Sequence, residues 1–167
     1  MKLTEAMEKA FSDQITLELE SSIAYLQLAI AAEDLDLPGI ASWFRLQSDE
    51  EREHAAKFIQ HVTDRGNRPQ IGAISAPVHP GDSVVAAFEA ALAHEQRVSE
   101  SIRDLYRSAQ SEGEIDSIPL LHWFIEEQVE EESTVNEILG RLRHIDEDGT
   151  GLLRLDAELG ARRPGEQ

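Results

Sequence analysis

The sequence predicts an all-α fold: a four-helix bundle with one long crossover and a short fifth helix at its C-terminal end. Three observations lead there. Long stretches rich in Ala, Leu, Glu, Gln and Arg, all good helix formers, lie between a few breaks marked by Gly and Pro. Within the stretches, apolar residues recur at alternating steps of three and four. The break from Gly66 to Gly81 is much the longest and holds Pro69, Gly72, Pro77 and Pro80. Extended, it reaches roughly 50 Å at ~3.3 Å per residue, against roughly 42 Å for a helix of about 28 residues, so it can run the length of a bundle.

The elements follow in order. The first helix is placed over about 4–35 and the second over about 38–65, with Pro38-Gly39 between them. The third covers about 82–111, with Asp82 and Ser83 as candidate caps. The fourth covers about 117–146, with Asp116 or Ser117 as cap and Pro119 in its first turn. A short fifth helix is placed over about 151–160, after Gly149 and Gly151. Only a few residues join the first helix to the second and the third to the fourth, so each pair should form an antiparallel hairpin. Ile71–Ile74 is the one segment with ambiguous strand character. Residues 1–167 are read as one domain, of a size that removes roughly 68–70% of the unfolded surface from water.

Composition narrows the function. Fifteen Lys and Arg against 33 Asp and Glu give a net charge of −18. That excess argues against nucleic acid and anionic membrane as partners and favours attraction of cations. The absence of cysteine excludes disulfide scaffolds, zinc fingers, Cys-ligated iron–sulfur clusters and thiol chemistry. No uninterrupted apolar run exceeds five residues, and the first residues have no apolar signal core. A cytoplasmic location is expected.

Each core stripe contains a glutamate near its middle. The stripes read Phe11, Ile15, Glu18, Ser22, Tyr25; Phe44, Gln47, Glu51, His54, Phe58; Phe88, Leu92, Glu95, Ser99, Ile102; and Phe124, Gln128, Glu131, Val135, Ile138. Hairpin mirroring sets Glu18 beside Glu51 and His54, and Glu95 beside Glu131 and Gln128, all at one height of the bundle. Close, buried carboxylates repel and are poorly solvated. They can be protonated, paired with buried Arg or Lys, or bound to divalent cations, and the stripes contain no Arg or Lys. Carboxylates with an imidazole suit iron or manganese and, less specifically, zinc. A lone Glu-x-x-His on a helix is commonly just surface; a matched glutamate on every helix is not.

At this point the chain resembles the non-haem bacterial ferritins, members of the ferritin-like di-iron carboxylate family. The carriers are Leu17-Glu18-Leu19-Glu20-Ser21-Ser22 with Tyr25, Glu50-Glu51-Arg52-Glu53-His54, Thr63-Asp64-Arg65-Gly66-Asn67-Arg68-Pro69, Glu95-Gln96, and Trp123-Phe124-Ile125-Glu126-Glu127-Gln128-Val129-Glu130-Glu131. The resemblance implies iron storage and detoxification. Iron(II) would be oxidised by O2 or H2O2 at a ferroxidase centre inside each subunit, and iron(III) mineral deposited in a hollow shell of 24 subunits. One iron would be held by Glu18, Glu51 and His54, and a second by Glu51 as bridge, Glu95 and Glu131. Gln128 would lie just beyond the ligands and Tyr25 next to the centre. A third iron site maps onto Glu50, Glu127 and Glu130, with Glu131 shared; the plain alternative is an acidic solvated face. Haem is not expected, because the bacterioferritin pattern would need a haem-ligating Met where Arg52 stands and a second Glu-x-x-His where Glu127-x-x-Glu130 stands. The fourth helix opens on apolar Ile118-Pro119-Leu120-Leu121, where animal ferritins carry acidic residues that line three-fold pores.

The second iron has only oxygen ligands in this assignment, so sequential filling is expected. Two rival readings remain at the level of sequence: a di-iron oxidase acting on an organic substrate, and a metal-free structural bundle. His61, His79, His94, His122 and His144 read as surface or interface residues, with His94 pointing off its stripe. Trp43 and Trp123 are expected in the core or at subunit contacts.

Overall fold

A computed structural model describes residues 1–146 and 148–163. It contains α1 (Glu5–Asp34), α2 (Pro38–Asp64), α3 (Val84–Glu112), α4 (Ile118–Ile145) and α5 (Gly149–Gly160), with no strand among the described residues. The Ile71–Ile74 segment has no regular structure.

Local chemistry sets the helix ends. Thr4 accepts from the Met7 amide at 3.3 Å to open α1, and Ser83 accepts from the Ala86 amide at 3.1 Å to open α3. Asp148 accepts from the Thr150 and Gly151 amides, so α5 starts two residues before the position expected from its glycines. Ser117 stands at the N-cap of α4, but its side chain does not cap. It bonds His61 and Glu114 instead. At the end of α3, Gly113 has φ 69° and Glu114 N–H returns to the Ala109 carbonyl at 2.8 Å, a left-handed cap that glycine adopts without Cβ strain. Asp36 takes the same conformation at φ 58° in the α1–α2 turn.

The helices stack at matched heights. α1 and α2 are antiparallel, with Ser22 and Ser48 hydroxyls 2.9 Å apart. α3 runs antiparallel to α1: Ser101 donates to Gln14, Arg97 pairs with Glu20, and Tyr25 reaches Glu95. α4 returns antiparallel to both α3 and α2, which the Gln128–Glu95 and Gln47–Glu131 bonds register. The crossover lies along α1, donating its Gln70, Gly72 and Ser75 amides in turn to Ser12, Thr16 and Glu20. It thereby carries the chain from one end of the bundle to the other, as its length allows. α1 is long and apolar enough to cross a bilayer, but 56% of its most apolar window is buried in the bundle.

α5 docks on the start of α2. Asp156, 8% exposed, accepts from the Ile40 amide at 2.7 Å and caps a helix whose own N-cap, Leu37, offers no side-chain bond. The approach is close: a Cβ on Gly39 would lie 1.9 Å from the Asp156 carbonyl oxygen.

The apolar core is in two parts. One cluster gathers Tyr25, Ile40, Trp43, Phe44, Phe88 and Leu139, and the other gathers Phe11, Ile15, Phe58, Ile102, Leu121 and Phe124. Between them lies a layer of buried polar residues from all four long helices.

Candidate metal centre

Glu18, Glu51, His54, Glu95, Gln128 and Glu131 are each at most 5% exposed, so the expected layer exists as a physical object. Helical periodicity puts each of them on the inner face, with aromatic rings one or two turns away. His54 packs edge-on against Trp123 and Phe124, and Phe124 stacks on Phe58 with ring centroids 3.9 Å apart. Trp123 is the less buried of the two tryptophans, while Trp43 is fully in the core.

Among the described residues, one ligand atom from each of Glu18, Glu51 and His54 lies within 4.8 Å of the others. His54 Nδ1 is 3.4 Å from Glu51 Oε2. Glu18 Oε2, Glu51 Oε2 and His54 Nδ1 are buried with no hydrogen-bond partner. Such orphans are unfavourable by roughly 1–3 kcal/mol each, more when charged, and they belong to the three residues of that cluster. The remaining Glu18 oxygen is held by Gln14 Nε2 at 2.7 Å, which fixes the carboxylate's direction.

Glu95 and Glu131 lie in the same layer but outside that three-residue cluster. Tyr25 donates its hydroxyl to Glu95 Oε1, and Gln128 Nε2 donates to Glu95 Oε2 at 3.1 Å. Gln47 Nε2 donates to Glu131 Oε2 at 2.8 Å. Both carboxylates thus have partners that orient them.

Electrostatics matches the packing. Burial lifts Glu18 to about 7, partly offset by the adjoining Glu51 carboxyl and by the hydrogen bond from Gln14. Glu131 rises to about 7, first by burial and then by the charge of Glu50. Glu51 and Glu95 are pushed well above the ordinary carboxylate range by burial and by the neighbouring carboxylates. Burial and the Lys57 charge lower His54 to about 4, so its imidazole is neutral and its lone pair available at neutral pH. Burial, then the nearby carboxylates, push Tyr25 upward, and it remains a donor.

The residues expected at a third site divide. Glu50 is half-buried, and burial raises it despite the charge and hydrogen bonds of Arg162. Arg162 Nη2 donates to both Glu50 oxygens, at 3.0 and 2.9 Å. Glu127 is partly buried and its charge acts on both Glu50 and Glu131. Glu130 is exposed on α4. The stripes themselves hold no Arg or Lys, as read from the sequence, and the largely buried Arg162 reaches Glu50 from beyond them. Its side chain is 10% exposed.

The sequence profile of the ferritin-like domain matches residues 8–145. The chain belongs to the ferritin-like family. Among ferritin-like relatives, a probable bacterial non-heme ferritin-like protein of Haemophilus influenzae is 32% identical over 95% of this chain and 96% of its own length. The bacterial non-heme ferritin of Staphylococcus aureus is 32% identical over 96% of both chains. The open-pore ferritin of the archaeon Archaeoglobus fulgidus superposes with a TM-score of 0.94 at 37% identity, over 97% of this chain and 100% of its own. An engineered closed form of that ferritin gives 0.95, again at 37% identity, over 97% and 99%.

Gln14, Gln47 and Arg162 were not singled out from the sequence. Gln14 lies one turn before Glu18, and Gln47 lies on the stripe one turn before Glu51, so a polar residue on a buried face was the available signal. Arg162 follows the last helix, where periodicity says nothing. His94, read as a surface or interface residue pointing off its stripe, is half-buried, 2.8 Å from the Ser21 hydroxyl, and burial with Arg97 lowers it to about 4. His61 is likewise half-buried, against Phe11 and Ser117.

Proposed function

We propose that this protein stores and detoxifies iron, oxidising iron(II) at a di-iron centre within each subunit and depositing iron(III) mineral inside a 24-subunit cytoplasmic shell. The carrying observation is the set of three orphaned buried atoms on Glu18, Glu51 and His54. A divalent cation satisfies all three at once, and a carboxylate–imidazole donor set suits iron. The names of the relatives, bacterial non-heme ferritins, support the same reading.

In this reading Glu18, Glu51 and His54 take the first iron(II). Glu51 also faces the second, completed by Glu95 and Glu131. Gln14 orients Glu18, Gln47 orients Glu131, and Tyr25 with Gln128 orients Glu95. The second iron has no imidazole and fills after the first. Anionic oxygen ligands favour iron(III) over iron(II) and so assist oxidation. Each iron(II) gives up one electron, and the pair reduces O2 to H2O2 or H2O2 to water with the required protons. The acidic interior then collects further iron.

The test adds iron(II) without oxygen to metal-free protein, then admits air. Near-ultraviolet absorbance and size-exclusion chromatography are followed on one sample. A large shell that oxidises and retains many irons per subunit supports storage. A small species that stops at a pair of irons refutes it in favour of an oxidase, and no binding refutes both.

A further inference from the structure

We propose that Arg162 is a tethered cation that fills an acidic corner beside the centre and keeps an additional divalent metal ion out of it. The corner holds Glu50 and, on the far side of Gln47, Glu131, and the charge of Glu127 acts on both carboxylates. Stripped of the arginine, it would present hard carboxylate oxygens to a divalent ion. The guanidinium meets it instead. Arg162 Nη2 spans both oxygens of Glu50, at 3.0 and 2.9 Å, and Nη1 donates to Gln47 Oε1. Its donation leaves the Gln47 amide nitrogen facing Glu131, where it donates at 2.8 Å. The same charge lowers the proton affinity of both Glu50 and Glu131.

The position is built in. Asp156 caps α2 through Ile40, and Gly160 lies against Gly39, with a Cβ at position 160 falling 2.8 Å from Gly39 Cα. Arg162 leaves this docked end two residues later and crosses the Trp43 ring at 5.5 Å. A guanidinium stays charged at every working pH, so the plug does not switch off by deprotonation. A metal ion entering the corner must break the charge-assisted bonds from Arg162 Nη2 to both Glu50 oxygens.

The inference extends the proposed centre, and its test separates the two. Zn(II), which does not change oxidation state, is titrated calorimetrically into assembled, metal-free protein, and bound zinc is counted after dialysis. The R162Q variant is expected to bind about one more ion per subunit than wild type, with at least ~10-fold tighter affinity for that ion. R162K keeps the charge but loses the second nitrogen that holds Gln47, so it should gain no more than about half an ion over wild type. Adding E50Q to R162Q should abolish the gain. Equal stoichiometry in wild type and R162Q would overturn the plug, as would a gain that survives E50Q. The centre is judged on H54A: no loss of zinc there would count against it, while the difference between wild type and R162Q would still decide the plug.

Discussion

Glu18→Gln keeps the shape of a fully buried side chain and removes its charge. In the metal-free protein the carboxyl is lifted from 4.5 to about 7, mainly by burial. The sign follows from linkage: a raised folded value means the native state binds the proton more tightly, so stability is retained below the unfolded value and lost as pH rises between the two. The loss is about 1 kcal/mol at roughly pH 5 and about 3 kcal/mol at roughly pH 8. A glutamine escapes it. Its oxygen can keep the bond from Gln14, and its amide can donate to the unpartnered Glu51 Oε2. Metal-free E18Q should therefore be more stable than wild type by about 3 kcal/mol near pH 8 and by about 1 kcal/mol near pH 5. Denaturant unfolding in chelator, at matched protein concentration, measures both. The same variant should oxidise iron(II) far more slowly while its shell still assembles. An E18Q protein that is less stable than wild type near pH 8, or that oxidises iron at the wild-type rate, would refute the assignment of Glu18 as an ionisable ligand buried at a cost to stability.

Tyr25→Phe removes the donor to Glu95 Oε1 and should destabilise the metal-free bundle by about 1–3 kcal/mol and slow oxidation; unchanged unfolding would show that the hydroxyl holds nothing. Gly39→Ala places a methyl 1.9 Å from the Asp156 carbonyl, so α5 should detach and the α2 cap be lost, at more than about 2 kcal/mol. Hydrogen exchange over residues 149–163 reads this directly, and full protection there would contradict it. Anaerobic titration with a divalent ion should resolve two unequal steps at the centre; two equal, tight steps would exclude weaker binding at the all-oxygen site. Because burial raises Glu18 and Glu131 to about 7, metal uptake should release more protons near pH 6 than near pH 8, which calorimetry in buffers of different ionisation enthalpy detects.

Much of this architecture is legible in the chain. The three-and-four spacing of Phe11, Ile15, Glu18 and of Phe44, Gln47, Glu51 already sets which faces turn inward, and the hairpin turns set their heights. That is why the layer is legible in the chain itself. What could not be read is non-periodic. Ser117 occupies a cap position but spends its hydroxyl on His61 and Glu114, because the tertiary partner competes with the local one. His94 sits one residue before Glu95 and so leaves the stripe, yet α1 covers it and Ser21 receives it. Arg162 reaches the centre only because Asp156 and the Gly39–Gly160 contact bring a remote segment home. Each of these depends on a neighbour distant in sequence that no single helix announces.

The division of the apolar core has a bearing on how errors spread. Phe44 and Phe88 pack in one cluster, and Phe58 and Phe124 in the other, with the carboxylate layer between. Packing strain passes through contiguous side chains, so a change at Phe88 has no apolar path to Phe124. Substitutions in opposite halves should therefore add within about 0.5 kcal/mol, as separated sites do, while pairs within one half should couple. A packing error at one end is thus confined to that half of the bundle, whereas the thin slab between the halves is hydrogen-bonded across all four long helices.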